Sequence, residues 1–322
     1  MMSAKKLKEV SAMVKYCSQC GRQVQRGTIY CTGCGAVIGS PPPHANPLPR
    51  DNPVFPFIGN ANRSEHGRQE ASFEKRGIQT VHVACKVLNI EVLSAESEKI
   101  RIEWDETSSW GLTAEQRGDC LQLDERDYLG FHSFGDFFNI NQRKELRLEL
   151  PKEYNGILIL ETETGSISIR DITTEGRIEL KTTVGHIRAK NLKTNSYFRA
   201  DTQTGGMDIS YIDSAECFSV AGGVGQITMS GVRSDKIEVS SSGLVDCRYI
   251  YAETSISING STGEVRCSID DVAENFTAQC QSSGGYCNLP DTSGNGPKAL
   301  HVSTSLGNID VRFRNAEERA SV

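Results

Sequence analysis

The sequence predicts an all-β protein in three parts: a short zinc ribbon, a flexible Pro-rich linker, and a β-solenoid of about eight 20-residue repeats. Three observations carry that expectation. Two Cys-x-x-Cys pairs stand near the N-terminus, seven of the ten prolines crowd between Pro41 and Pro56, and a glycine recurs at a near-constant interval from Gly165 to Gly307. The 322 residues suffice for one large or two unequal domains, and 24% charged residues argue against wholesale disorder. The expected boundaries are a basic segment 1–15, the ribbon 16–38, the linker 39–76, the repeat domain 77–314 and a tail 315–322.

In the ribbon, Cys17-Ser-Gln-Cys20 and Cys31-Thr-Gly-Cys34 are each followed by glycine (Gly21, Gly35). Cys17, Cys20, Cys31 and Cys34 at this spacing can place four thiolates tetrahedrally around one structural Zn²⁺. Glycine suits a metal knuckle, which turns sharply and aims backbone amides at the sulfurs. Tyr16, Val24, Ile29 and Tyr30 are the only apolar cover, so the metal supplies much of the unit's stability. A rubredoxin-type iron site usually spaces its knuckles further apart, and a redox Cys-x-x-Cys is more naturally a single pair. The pattern resembles the short zinc ribbons at the N-termini of many bacterial proteins.

Charge is uneven. Residues 1–38 carry six basic groups against one acid, 39–76 carry five against four, and the net charge of -6 therefore leaves -12 for the rest. So acidic a C-terminal portion argues against nucleic acid as its partner. The prolines of Ser40-Pro-Pro-Pro and Asn52-Pro-Val-Phe-Pro remove backbone donors and favour extended chain, which makes 39–76 a tether.

The repeat aligns on Gly165, Gly185, Gly205, Gly225, Gly243, Gly263, Gly284 and Gly307. Two residues later stand Ile167, Ile187, Met207, Ile227, Val245, Val265, Tyr286 and Ile309, all apolar or aromatic. Four residues later the column is Ile169, Ala189, Ile209, Met229, Cys247, Cys267, Asn288 and Val311, broken only by the asparagine. Upstream pairs such as Ile178/Leu180 and Phe198/Ala200 alternate in the same phase. Each unit reads as strand, glycine turn, strand, turn. So short a unit cannot bury its apolar face alone, but stacking on the next copy builds a continuous core. Eight coils about 4.8 Å apart make a rod of roughly 40 Å. Cys247 and Cys267 take one inward position in consecutive coils. All seven cysteines outside the ribbon read as thiols.

From Gly77 to Pro151 the glycine period is absent, but strands are expected at 87–93, 99–104, 120–123 and 146–150. They form less regular coils that cover the first edge of the stack. The segments Leu88-Asn-Ile-Glu-Val, Lys99-Ile-Arg-Ile-Glu and Leu146-Arg-Leu-Glu-Leu-Pro, followed by the Thr-x-x-Gly-x-Ile series, resemble a bacterial family of strand-repeat proteins labelled as adhesins, a domain of unknown function. That resemblance covers about 240 residues and implies a strand-repeat fold. Some relatives are associated with envelope-stress regulation, which implies a regulatory partner.

No enzyme is expected. Asp171, Asp208, Asp213, Asp246, Asp270 and Asp271 do not recur as a carboxylate pair of the kind a polysaccharide-acting β-helix needs. His186 follows a turn glycine with no nucleophile specified, and each glycine sits between strands rather than opening a phosphate-binding helix. No apolar run is long enough to span a membrane, and no apolar stretch follows the N-terminal lysines. The expected location is the cytoplasm, with peripheral membrane association compatible with it. The expected role is a scaffold: the solenoid binds a protein partner or another copy, and the ribbon docks elsewhere. The alternatives are an exported adhesin or glycan-binding rod, and a β-helix enzyme.

Overall fold

The structure, a computed structural model, describes residues 15–16, 23–24, 67–106, 110–127, 144–152, 154–290 and 292–314. The chain divides into two units, Met1–Phe57 and Ile58–Val322. In the first, β1 (Lys15–Tyr16) and β2 (Gln23–Val24) pair antiparallel. Cys17, Cys20, Cys31 and Cys34, the proline-rich stretch and the tail 315–322 lie outside the described residues.

The second unit is all-β and solenoid-like, one sheet of mainly parallel strands. Its repeating heart is β10 (Ile157–Thr164), β11 (Ile167–Thr174), β12 (Ile178–Val184), β13 (Ile187–Thr194), β14 (Tyr197–Thr204) and β15 (Met207–Val224). The series continues as β16 (Ile227–Ser241), β17 (Val245–Gly260) and β18 (Val265–Ile269). Each rung pairs in parallel with the next, so identical positions stack: Leu158 on Ile178, Phe198, Phe218, Ile237 and Ile256 in turn. All six are buried, and the Phe198 and Phe218 rings stack at 5.3 Å. Each such side chain withdrawn from water contributes about 1.5–3 kcal/mol. The backbone bonds run along the stack, as in Gly185 N–H to Thr204 O at 2.9 Å.

The glycine column packs turn on turn. A Cβ on Gly205 would lie 1.8 Å from the Gly185 carbonyl oxygen, and Gly205 itself has φ +137°. Close approach of the turns, more than backbone freedom, excludes a side chain there. Three residues before the glycine, a buried hydroxyl donates to the glycine carbonyl of the preceding rung: Thr182 to Gly165 at 2.9 Å and Thr202 to Gly185 at 3.3 Å. Buried hydroxyls need such partners.

Both ends depart from sequential order. At one end β4 (Thr80–Val87) and β5 (Asn89–Ala95) lie between β10/β11 and a further rung made of β8 (Cys120–Asp127) and β9 (Glu145–Pro151). β3 (Gly67–Glu74), β6 (Lys99–Glu106) and β7 (Trp110–Arg117) close this end by antiparallel pairing: β6 on β9, β3 on β6, and β7 on β8. β3 falls inside the span expected as linker. Its polar sequence carries no clear alternation, and its place comes from pairing with β6.

At the other end, β21 (Lys298–Thr304) and β22 (Ile309–Phe313) insert between β17/β18 and the earlier strand β19 (Phe276–Ser282). The expected next-on-next order therefore fails here. The glycine alignment also shifts by one. Gly285, not Gly284, faces the Gly307 carbonyl, and Cys287 pairs with Ile309. Tyr286 is 69% exposed rather than inward. Leu289, not Asn288, packs against the core, so the asparagine that broke the column was out of register. Cys280 and Cys287 form a disulfide across this turn, which corrects their reading as thiols. Cys247 and Cys267 do share one inward position in adjacent rungs, and both are free. Burial pushes the Cys267 thiol up to about 12, and raises that of Cys247 well above its ordinary value.

Candidate functional site

The second strand of each central rung bends at one residue, and that residue stacks along the unit. Asp171, Asn191, Tyr211 and Tyr249 have φ of 59°, 54°, 55° and 53°, and Gly231 has φ +66°. A left-handed residue turns two consecutive side chains outward. β13 shows the consequence: Ala189 points in, Lys190 and Asn191 point out, and Leu192 points in again. The corner so formed is a crease running along the stack.

The crease holds a cavity of about 490 Å³ lined by Asp171, Asn191, Lys193, Tyr211, Asp213, Gly231, Arg233, Tyr249 and Asp270. Asp, Asn and Gly tolerate left-handed backbone, whereas a bulky residue is strained there by about 1–2 kcal/mol. Tyr211 and Tyr249 accept that strain while standing 63% and 65% exposed. Gly231 lies between them, and its absent side chain leaves room for the Tyr211 ring, whose Cδ1 would be 3.0 Å from a Cβ. Sequence reasoning missed this column. Its signal was present as Asp, Asn and Gly recurring six residues after the turn glycine, but the two tyrosines disguised it.

The sequence-predicted carboxylates scatter. Asp171, Asp213 and Asp270 come to the crease, while Asp208, Asp246 and Asp271 do not. Each has a partner of opposite charge or an amide. Asn191 donates to Asp171 at 2.7 Å, Lys193 stands 3.9 Å from Asp213, and Arg314 donates to Asp270 at 2.9 Å with Arg233 at 3.6 Å. Asp208 meets the His186 ring at 2.9 Å, and Arg248 grips Asp246 at 2.8 Å.

Asp271 is the buried case. Lys298 donates to it at 2.9 Å, the Val272 N–H at 2.8 Å and Asn275 at 2.7 Å. Burial alone would raise the Asp271 carboxyl, but these donors outweigh it and hold the group below the usual carboxylate range. Burial likewise disfavours the Lys298 ammonium, yet its bonds to Asp271 and Tyr251 leave it raised. The pair joins β21 to the loop after β18 and is structural in character. Among the described residues, no cluster of three or more His, Cys, Asp and Glu is arranged to hold a metal.

Residues 78–312 match the Toastrack DUF4097 family. The chain belongs to that family. The Toastrack match runs from just before β4 into β22, and so takes in the central rungs and both out-of-order ends apart from β3. Among solved structures, a candidate adhesin from Bacteroides fragilis NCTC 9343 is similar at 14% identity, covering 76% of this chain and 96% of that one, with a TM-score of 0.44. A candidate cell adhesion protein from Clostridium sporogenes ATCC 15579 is similar at 12% identity, covering 78% and 100%, with a TM-score of 0.24. No curated protein matches this Toastrack chain.

Proposed function

We propose that this chain is a non-catalytic, adhesin-like interaction protein, a stiff β-stack whose lateral columns meet a macromolecular partner. Cys17, Cys20, Cys31 and Cys34 hold one structural Zn²⁺ in a ribbon that gives a second point of attachment. The observation that carries this reading is the in-register parallel pairing within each strand of the central rungs, interrupted only at the corners after Ser214 and Ser234, which repeats outward positions every ~4.8 Å and so displays columns of side chains. The engagement of the six aspartates with cations, amides or histidine supports binding over acid–base chemistry, which needs groups tuned against each other.

In-cell cross-linking tests it. Lys190 and Lys193, both exposed on the crease side, should link to another polypeptide or a second copy. Turnover of an acidic glycan, abolished by Asp213→Asn or Asp270→Asn, would contradict it.

A second reading, export from the cytoplasm, is favoured by the Cys280–Cys287 disulfide, since such bonds persist in oxidising compartments. Cell fractionation with thiol blocking separates the two locations. An oxidised pair outside the cytoplasm supports export, and a reduced pair in the cytoplasmic fraction supports the scaffold.

A further inference from the structure

The crease past Asp171, Asn191, Tyr211, Gly231 and Tyr249 carries more than a turn requires. Two bulky aromatic residues occupy strained left-handed backbone and remain largely exposed. Their burial does not repay the strain, so their use lies in what they present to solvent. The geometry points to a binding site for a neutral oligosaccharide, laid along the crease with sugar rings against Tyr211 and Tyr249. This deepens the interaction reading and rests on it.

Three features choose this ligand class. The aromatic surfaces suit the C–H faces of sugar rings, and the phenol hydroxyls stay free to bond at the rim. Four of the crease's charges are cancelled in pairs, Lys193 with Asp213 and Arg233 with Asp270, and the fifth, the Asp171 carboxylate, is held by the Asn191 amide, so an anionic ligand gains no favourable field. The same groups, with the Asp171–Asn191 pair, offer donors and acceptors side by side, which is what vicinal hydroxyls match. Finally, the crease is long and open. Four rung spacings from Asp171 to Tyr249 span roughly 19 Å, the shape of an extended chain rather than an enclosed small molecule. A peptide adding as a strand finds no edge here, because the central strands are paired on both sides.

Native affinity electrophoresis of the full chain through gels holding hydroxyethyl cellulose, xyloglucan, glucomannan or dextran tests the proposal, with alginate as a charge control. At least one neutral polymer should retard the protein. Retardation should weaken tenfold or more in Tyr211→Ala/Tyr249→Ala. It should weaken similarly in Gly231→Asn, a change the left-handed backbone tolerates, while Tyr286→Ala behaves as wild type. Circular dichroism of each variant checks that the fold is kept. No retardation by any neutral polymer, retardation by alginate alone, or retardation indifferent to the crease variants would overturn it. The two readings fail separately. Cross-links to a polypeptide in the absence of glycan retardation remove only this inference, whereas cleavage of a retarding polymer removes the non-catalytic reading and leaves the site.

Discussion

The centre of the stack and its two ends are built from the same rungs by different means. Between β10 and β18 each rung rests on its sequence neighbour, held by the glycine column, the inward aliphatic columns and hydroxyls bonded to glycine carbonyls. At the ends the chain goes out of order. One end runs outward to β8/β9 and returns, under the antiparallel cover of β3, β6 and β7. The other threads β21/β22 beneath β19, ties the outer turn with a disulfide, and covers the outer edge of β19 with the short β20 (Thr292–Ser293). Repetition makes the middle, and devices that finish an edge make the ends, because an open parallel edge recruits other strands.

The contrast is sharpest at the glycines. Gly205→Val drives a Cβ into the Gly185 carbonyl, and a loss above about 4 kcal/mol in urea melts is expected. Gly284→Ala at the far end meets the Leu306 Cδ2 at 2.5 Å, a side-chain tip that can swing aside, and should cost less than about 1 kcal/mol. Equal losses would erase the distinction.

Lys298→Met leaves Asp271 buried without its cation and should cost about 3 kcal/mol by the same assay. Cys280→Ser, or reduction, opens a short loop and should cost about 2 kcal/mol. Hydrogen exchange should quicken in β19 and leave β12 unchanged. Uniform quickening would mean that the end and the centre unfold together.

Acid should act first on the same end. Asp271 lies below the usual carboxylate range in the fold, so its contribution is present above about pH 4 and is lost as pH falls through its folded value. Lys298 is raised, so its contribution is present below the ordinary lysine value and is lost as pH rises through its folded value. Exchange in β19 and β21 measured from pH 5 to pH 2 checks the acid limb, and Asp271→Asn should flatten it.

The smallest effect on the stack is expected from the ribbon. Metal analysis should find one Zn²⁺ per chain. Cys17→Ser or Cys34→Ser should release it while the β signal persists, and loss of both together would contradict independent units.

What could be read from sequence follows the same division. The central rungs were legible because a local period repeats the same packing: Cys247 over Cys267, Phe198 over Phe218. The ends were not, because insertion of β21/β22 depends on which edge needs closing, not on local pattern. The Gly284-Gly285 doublet offered two registers, and only contact with Gly307 decides between them. Polar β3 had no alternation to announce it. At the crease, Asp171, Asn191 and Gly231 were typical left-handed residues at a constant offset, but the contacts beside them, Lys193 with Asp213, Arg233 with Asp270 and the Tyr211 ring over Gly231, arise only when rungs stack.

The threading of the last rung is the most direct test. Ser257 pairs with His301, and His301 pairs with Gln279, so Ser257 and Gln279 stand two rungs apart. Cysteines placed at 257 and 301, or at 301 and 279, should oxidise to linked peptides, since one rung is within disulfide reach. The pair at 257 and 279, about 9–10 Å apart, should not link. Linking of 257 to 279 with none between 257 and 301 would mean a sequential stack, and would contradict the out-of-order end.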